Sequence, residues 1–188
     1  MIMVSRMDNN ILEGQLRECY GRVVYTHKTH EKCADILQKK LGCMKNLQLV
    51  LLAITTGSFI TTVVGDAKTG AIIGSVLSAI LLFLNSYLKD YDLGSIAQKH
   101  RQAAGDMWLI RERYLSLLTD LKMQTKSIEE ILKERDALMI ELSAIYIGAP
   151  STNYKAYSMA QKALKELEDM TFSDEEIDKF LPTELKRK

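Results

Sequence analysis

The side chains best suited to metal or proton chemistry crowd into one short stretch, where His27, His30 and Cys33 fall within two turns of a helix. A metal centre would need them on one face with a further acid, Cys or His. The spacing fits packing better, since both histidines occupy positions of an apolar stripe and Cys33 sits beside Ala34. A second reading uses titration: His27 and His30 facing His100 or an acid would form a buried polar layer responsive near the ordinary imidazole pKa. There is no Gly-rich phosphate loop, no Gly-x-Ser-x-Gly and no Cys-x-x-Cys. The expectation is a protein without catalytic residues, metal or cofactor.

A second set of polar side chains lies inside two apolar stretches. Thr55, Ser58 and Thr62 recur at helical spacing in the first, and Ser75, Ser78 and Asn85 in the second. Each set lines one helix face, so each can pack a hairpin, with hydroxyls bonded back to their own carbonyls, or turn inward in an oligomer as a narrow polar pore. Ala53, Gly57 and Thr61 make a small-residue face on the first stretch, and Gly70, Gly74 and Ser78 make one on the second; such faces permit close approach of helices in lipid. Asn85, near a boundary, is either glue between helices or a lining group. No charged ring accompanies these faces, so strong ion selectivity is not expected.

The stretches that carry these residues decide the solvent. Leu47–Val64 and Ala71–Leu88 are charge-free and are separated only by Gly65-Asp66-Ala67-Lys68-Thr69-Gly70. Eighteen residues of helix reach about 27 Å, close to the roughly 30 Å hydrocarbon core of a bilayer. The reading is a transmembrane hairpin. Lys39, Lys40 and Lys45 precede the first span and Lys89, Lys99 and Arg101 follow the second, whereas the turn offers only Asp66 and Lys68. By the bias of Lys and Arg toward the cytoplasmic side, both termini are expected inside. The first span begins too far from Met1 to be a cleavable signal. Tyr87 and Tyr91, at the end of the second span, are the only aromatic anchors near a boundary.

Outside the hairpin the chain reads as helix. The 25 basic and 24 acidic residues leave a net charge of +1, which gives no nucleic-acid footprint. Cys19, Cys33 and Cys43 lack metal-type spacing and are read as reduced thiols. A seam at Leu16, Tyr20, Val23, His27, His30, Ala34, Leu37, Leu41 and Met44 runs along the N-terminal arm, and a longer one from Ile110 through Tyr114, Leu117, Leu121, Gln124, Ile128, Ile131, Arg135, Leu138 and Leu142 to Ile145 follows the hairpin. Such stripes require partner helices. Ser127-Ile128-Glu129-Glu130 spells a capping box, while the unbroken heptad phase across it favours a continuous or kinked helix over 92–147. Gly148 and Pro150 stop that helix. Asn153 then opens another, with Tyr154, Tyr157, Gln161, Leu164 and Leu167 or Glu168 on one side. Ser173 and Glu176 start a last short helix, stapled by Phe172 and Ile177 and closed by Pro182. The chain divides into an amphipathic arm (1–46), the hairpin (47–88, spans 47–64 and 71–88), a long helix or helical hairpin (89–147) and short C-terminal helices (148–188). The fold class is all-α, a membrane hairpin joined to a cytosolic, coiled-coil-like bundle.

The segment Ala97-Gln98-Lys99-His100-Arg101-Gln102-Ala103-Ala104-Gly105-Asp106-Met107-Trp108-Leu109-Ile110-Arg111-Glu112-Arg113-Tyr114, followed by Leu117-Leu118-Thr119-Asp120, resembles the region after the hairpin in SLATT-domain proteins, the SMODS- and SLOG-associating two-transmembrane effectors. Arg17-x-x-Tyr20-x-Arg22 is similar to that family as well, and the likeness covers roughly residues 10–147. It implies an effector of bacterial anti-phage defence in the inner membrane. Such a protein would oligomerise and permeabilise that membrane, causing growth arrest or abortive infection, on a signal from a nucleotide second-messenger synthase or nucleotide-sensing protein encoded nearby. His100 and Tyr114 fall on the apolar stripe. Trp108 and Arg111 lie off it, with Arg113 near its edge, so these three and Arg101 are candidates for contacts with other subunits or an activator. The alternatives are a membrane-anchored helical adaptor without pore activity and a simple toxin without a regulator.

Overall fold

A computed structural model describes residues 2–65 and 67–187. No proline precedes Pro150, so nothing in the first half of the chain interrupts the i to i−4 ladder by removing a donor. Helix α1 accordingly runs unbroken over Ile2–Val64, 63 residues, or about 95 Å. The arm and the first span, separable by composition, are one helix. After the turn at Gly65, α2 (Ala67–Asp90) and α3 (Leu93–Met123) return along it. Between them the Asp92 carboxylate accepts from the Ser95 N–H at 2.9 Å and caps α3. The contact pairs Thr62/Gly70, Ser58/Gly74, Gln48/Asn85, His30/His100 and His27/Ala104 advance on α2 and α3 as they retreat on α1. One antiparallel register therefore spans hairpin and stem.

The heptad phase does not carry through 92–147 as one helix. Helix α3 ends at Gln124, which takes a left-handed φ of 57°, and α4 (Ile128–Gly148) starts on the full capping box of Ser127 and Glu130. Glu130 N–H donates to Ser127 Oγ at 3.3 Å, and Ser127 N–H to Glu130 Oε2 at 2.8 Å. Lys126 bridges Asp120 and Glu134 at 3.0 and 2.8 Å. Local capping thus overrides the pattern. The seam survives by folding back, so that Leu117 and Leu121 on α3 and Ile131 and Leu138 on α4 share a core with Leu16, Cys19 and Val23 of α1.

Helix α5 (Tyr154–Lys165) is capped by Asn153, whose Oδ1 accepts from Ala156 N–H at 2.9 Å. It buries Ala156, Ala160 and Ala163 rather than the expected tyrosine and leucine side, and Tyr154 and Leu167 are exposed. Alanines let α5 lie close on α1, where the Asn153 amide approaches the Cys33 sulfur. Helix α6 (Asp174–Phe180) has the expected Ser173/Glu176 box, yet Phe172 and Ile177 stay exposed. No strand occurs among the described residues.

Candidate functional site in the hairpin and its stem

Most apolar side chains of the spans face outward. Only 6% of the most apolar window in either long helical stretch is buried within the chain, which separates these helices from the core helices of a soluble protein. The contact between them is built from the smallest residues. A Cβ at Gly70 would stand 2.8 Å from Thr62 N and 2.9 Å from Ser58 O, and one at Gly74 would stand 3.0 Å from Ser58 Oγ. Thr55, Ser58 and Thr62 lie on this inner side, and their hydroxyls donate to the carbonyls of Leu51, Thr55 and Ser58 at 2.8, 2.7 and 2.9 Å. Backbone acceptance of this kind keeps hydroxyls satisfied in an apolar medium.

The other span positions are placed differently. Ala53, Gly57 and Thr61 are exposed, and a Cβ at Gly57 would meet nothing within 4 Å. Their small-residue face is not part of the intrachain contact, which uses Gly70 and Gly74 instead. Ser75 and Ser78 also face outward, with Ser75 bonded to Ala71 O at 2.8 Å. Asn85 accepts a hydrogen bond from Gln48 Nε2 at 2.8 Å and so ties the two spans at their open end. Gln48, its partner, was recognisable only as the one amide in the first stretch. Just beyond, Lys40 Nζ donates to Tyr87 OH at 3.0 Å, and Tyr87 stacks on Tyr91.

Next along the register comes the histidine layer, and the structure does bring its members together. His27, His30 and His100 are buried. His30 Nδ1 meets His100 Nδ1 at 2.9 Å, and His27 Nδ1 lies 2.8 Å from Ala104 O. A contact between two Nδ1 atoms requires one ring to donate and the other to accept, so it fails when both rings are imidazolium. Burial, then the neighbouring His100 and His27, push His30 down to about 4, and burial lowers His100. Cys33 sits apart from the pair against Asn153, and its thiol is pushed up by burial. Among the described residues no three His, Cys, Asp or Glu side chains are arranged to hold a metal.

The off-stripe residues make contacts within the chain. Arg101 reaches Asp35 at 3.2 Å and Gln38 at 2.9 Å on α1. Arg113 pairs with Glu141 of α4. Arg111 pairs with Glu112, lies 6.0 Å from the Trp108 ring and approaches the Met170 sulfur at 3.7 Å. Trp108 itself is 49% exposed. A contact that the sequence pattern gave no reason to single out fastens the C-terminal segment: Lys28 bridges Glu31 at 2.9 Å and Asp169 at 3.1 Å. Burial would lower Lys28, but these carboxylates outweigh it and hold the ammonium above its ordinary value.

A closely packed two-helix hairpin with lipid-compatible outer faces, continuous with a buried helical stem, defines a two-span all-α membrane protein. The model of SMODS and SLOG-associating 2TM effector domain family 4 matches residues 12–176, and the chain belongs to that family. Neither the curated proteins nor the solved structures contain a match.

Proposed function

We propose that the protein is a membrane-permeabilising effector of bacterial anti-phage defence, acting without catalysis as a homo-oligomer in the inner membrane with both termini in the cytoplasm. The single observation that carries this reading is the hairpin itself, whose helices pack on each other through Gly70 and Gly74 yet leave Gly57, Ser75 and Ser78 facing outward. Membership of a two-transmembrane effector family supports the same reading. Thr55, Ser58 and Thr62 then hold the hairpin together, while Ser75 and Ser78, with Asn85 toward the mouth, line the opening between subunits. The trigger is a nucleotide second messenger or a partner protein that rearranges the stem.

Dye release from liposomes containing the purified full-length protein tests this reading, with cross-linking run in parallel. Release that accompanies assembly and falls with Ser75→Val and Ser78→Val is the expected result. Assembly without release under any inducer, together with recovery of a bound cytosolic protein, would replace the pore by the adaptor.

A further inference from the structure

Besides the apolar core they share, helices α4 and α1 are joined by hydrogen bonds at two separated points. Arg135 donates to Gln15 at 2.8 Å toward one end, and Thr26 and Tyr146 share a hydrogen bond of 2.9 Å toward the other. Between them, at the surface beside that core, lies an open gap of about 580 Å³, within the range of small-molecule sites. Its α4 wall is apolar, formed by Met139, Leu142 and Ile147, and its α1 wall carries Cys19 and Arg22.

Two groups in the gap can donate to a ligand. Tyr114, from α3 at the floor, is fully buried, and its hydroxyl has no hydrogen-bond partner. Burial, then Cys19, raise it to about 12, so it stays a protonated donor. A buried hydroxyl left unbonded is unfavourable, and native proteins rarely keep one without a use. Arg22, exposed at the rim, is the second. It forms no ion pair among the described residues; its guanidinium donates to the Cys19 sulfur at 3.3 Å, a weak acceptor, while Glu18 acts on it only at a distance.

We propose that this gap is a binding site for a small amphipathic acid, its carboxylate accepting from Arg22 and Tyr114 and its apolar body lying against Met139, Leu142 and Ile147. The gap lies some 25 residues of helix from the first span, about 37 Å, so the ligand is a dissolved molecule and not a bilayer lipid. Binding exchanges the Arg22–sulfur contact for a charge-assisted bond, satisfies the orphaned hydroxyl and closes α4 onto α1. The proposal is independent of pore formation.

The probe is 2-naphthoate, titrated into the full-length protein in nanodiscs with empty nanodiscs subtracted. Saturable binding with a Kd of about 0.1–1 mM is expected for a ligand of this size. Its neutral isostere 2-naphthylmethanol binds at least about tenfold more weakly, as 2-naphthoate does to Arg22→Gln, because a charge-assisted bond is lost. Tyr114→Phe separates a binding role from a structural one. It deletes only an unbonded hydroxyl, so its Tm equals or exceeds the wild-type value while naphthoate binding weakens about fivefold. Equal affinity of acid and alcohol, unchanged binding by Tyr114→Phe, or no saturation up to about 10 mM would each overturn the proposal.

Discussion

Acidification should loosen the stem at the histidine layer, and the size of the effect follows from one residue. His30 is 2% exposed, faces His100 on α3 and His27 on its own helix, and is held at about 4 in the fold. The Asp35–Arg101 pair stands one turn away on the same two helices and already neutralises itself. In the unfolded chain the imidazole titrates near 6.5. A folded pKa below the unfolded one means that the unfolded state takes up the proton first. The stabilisation is therefore complete above about pH 6.5, declines as the pH falls, and is gone below about 4. At pH 5 the loss is about 2 kcal/mol, or roughly 4–8 °C in Tm for a chain of this length. His100, lowered by burial, contributes with the same sign. The Nδ1–Nδ1 contact adds a sharper condition, since one proton can be shared but two cannot.

Thermal unfolding of wild type and His30→Gln between pH 7.5 and 5, in the same detergent, isolates the effect from that of the carboxylates. Wild type should lose about 2 kcal/mol more than the variant over that interval. His100→Gln provides a second variant with a difference of the same sign. Parallel profiles for wild type and both variants would refute the reasoning, because a buried neutral pair must resist a proton that glutamine never takes.

The remaining predictions concern packing and caps. Gly70→Ala places a methyl against the backbone of Thr62 and Ser58, so the spans must separate at a cost of about 1–3 kcal/mol; disulfide trapping between cysteines at positions 48 and 85 should slow, while Gly57→Ala, in open space, leaves it unchanged. Ser127→Ala removes a two-sided capping box and should destabilise the α3–α4 turn by about 1 kcal/mol, read as faster hydrogen exchange over residues 127–131. Asp169→Asn leaves the ammonium of Lys28 to Glu31 alone, and limited proteolysis should then cut the segment between α5 and α6 sooner than in wild type.

Much of this architecture is legible in the sequence because it depends on local signals. Charge-free length defines the spans, the Ser, Asn and Glu signals at helix starts define α5 and α6, and the stripe through His27 and His30 predicts that both are buried with His100. Three features are not legible, each for a physical reason. The heptad seam of 110–145 looks continuous because a tight hairpin at Gln124 can preserve phase on both sides, and only the capping chemistry of Ser127 and Glu130 reveals the break. The buried side of α5 is inverted relative to hydrophobicity, since close approach to α1 selects Ala156, Ala160 and Ala163 over the larger Tyr154 and Leu167. Tyr114 reads as an ordinary seam residue; that its hydroxyl lies unbonded beneath a gap depends on how α4 diverges from α1, which no spacing encodes.

The shared register explains how stem and hairpin can act as one device. Helix α1 has no break between the histidine layer and the Ser58–Gly74 contact. Both layers are antiparallel pairings of that same helix with a returning strand of chain interrupted only at Tyr91–Asp92. A displacement of α3 along α1 that separates His30 from His100 meets its first compliant point at that two-residue junction. Beyond it lie the Lys40–Tyr87 and Gln48–Asn85 bonds, side-chain contacts that exchange partners at far lower cost than the Gly70 backbone approach. The part of the hairpin nearest the stem is thus expected to yield first, with the glycine contact at its far end as the pivot. A Gln48→Leu and Asn85→Leu double variant tests this ordering. It should leave the far end packed, with the distance between spin labels at the exposed positions 61 and 71 unchanged, and uncouple the spans from acidification of the stem. If that distance grew in step with loss of the Gln48–Asn85 bond, the hairpin would move as a rigid unit and the pivot would lie elsewhere.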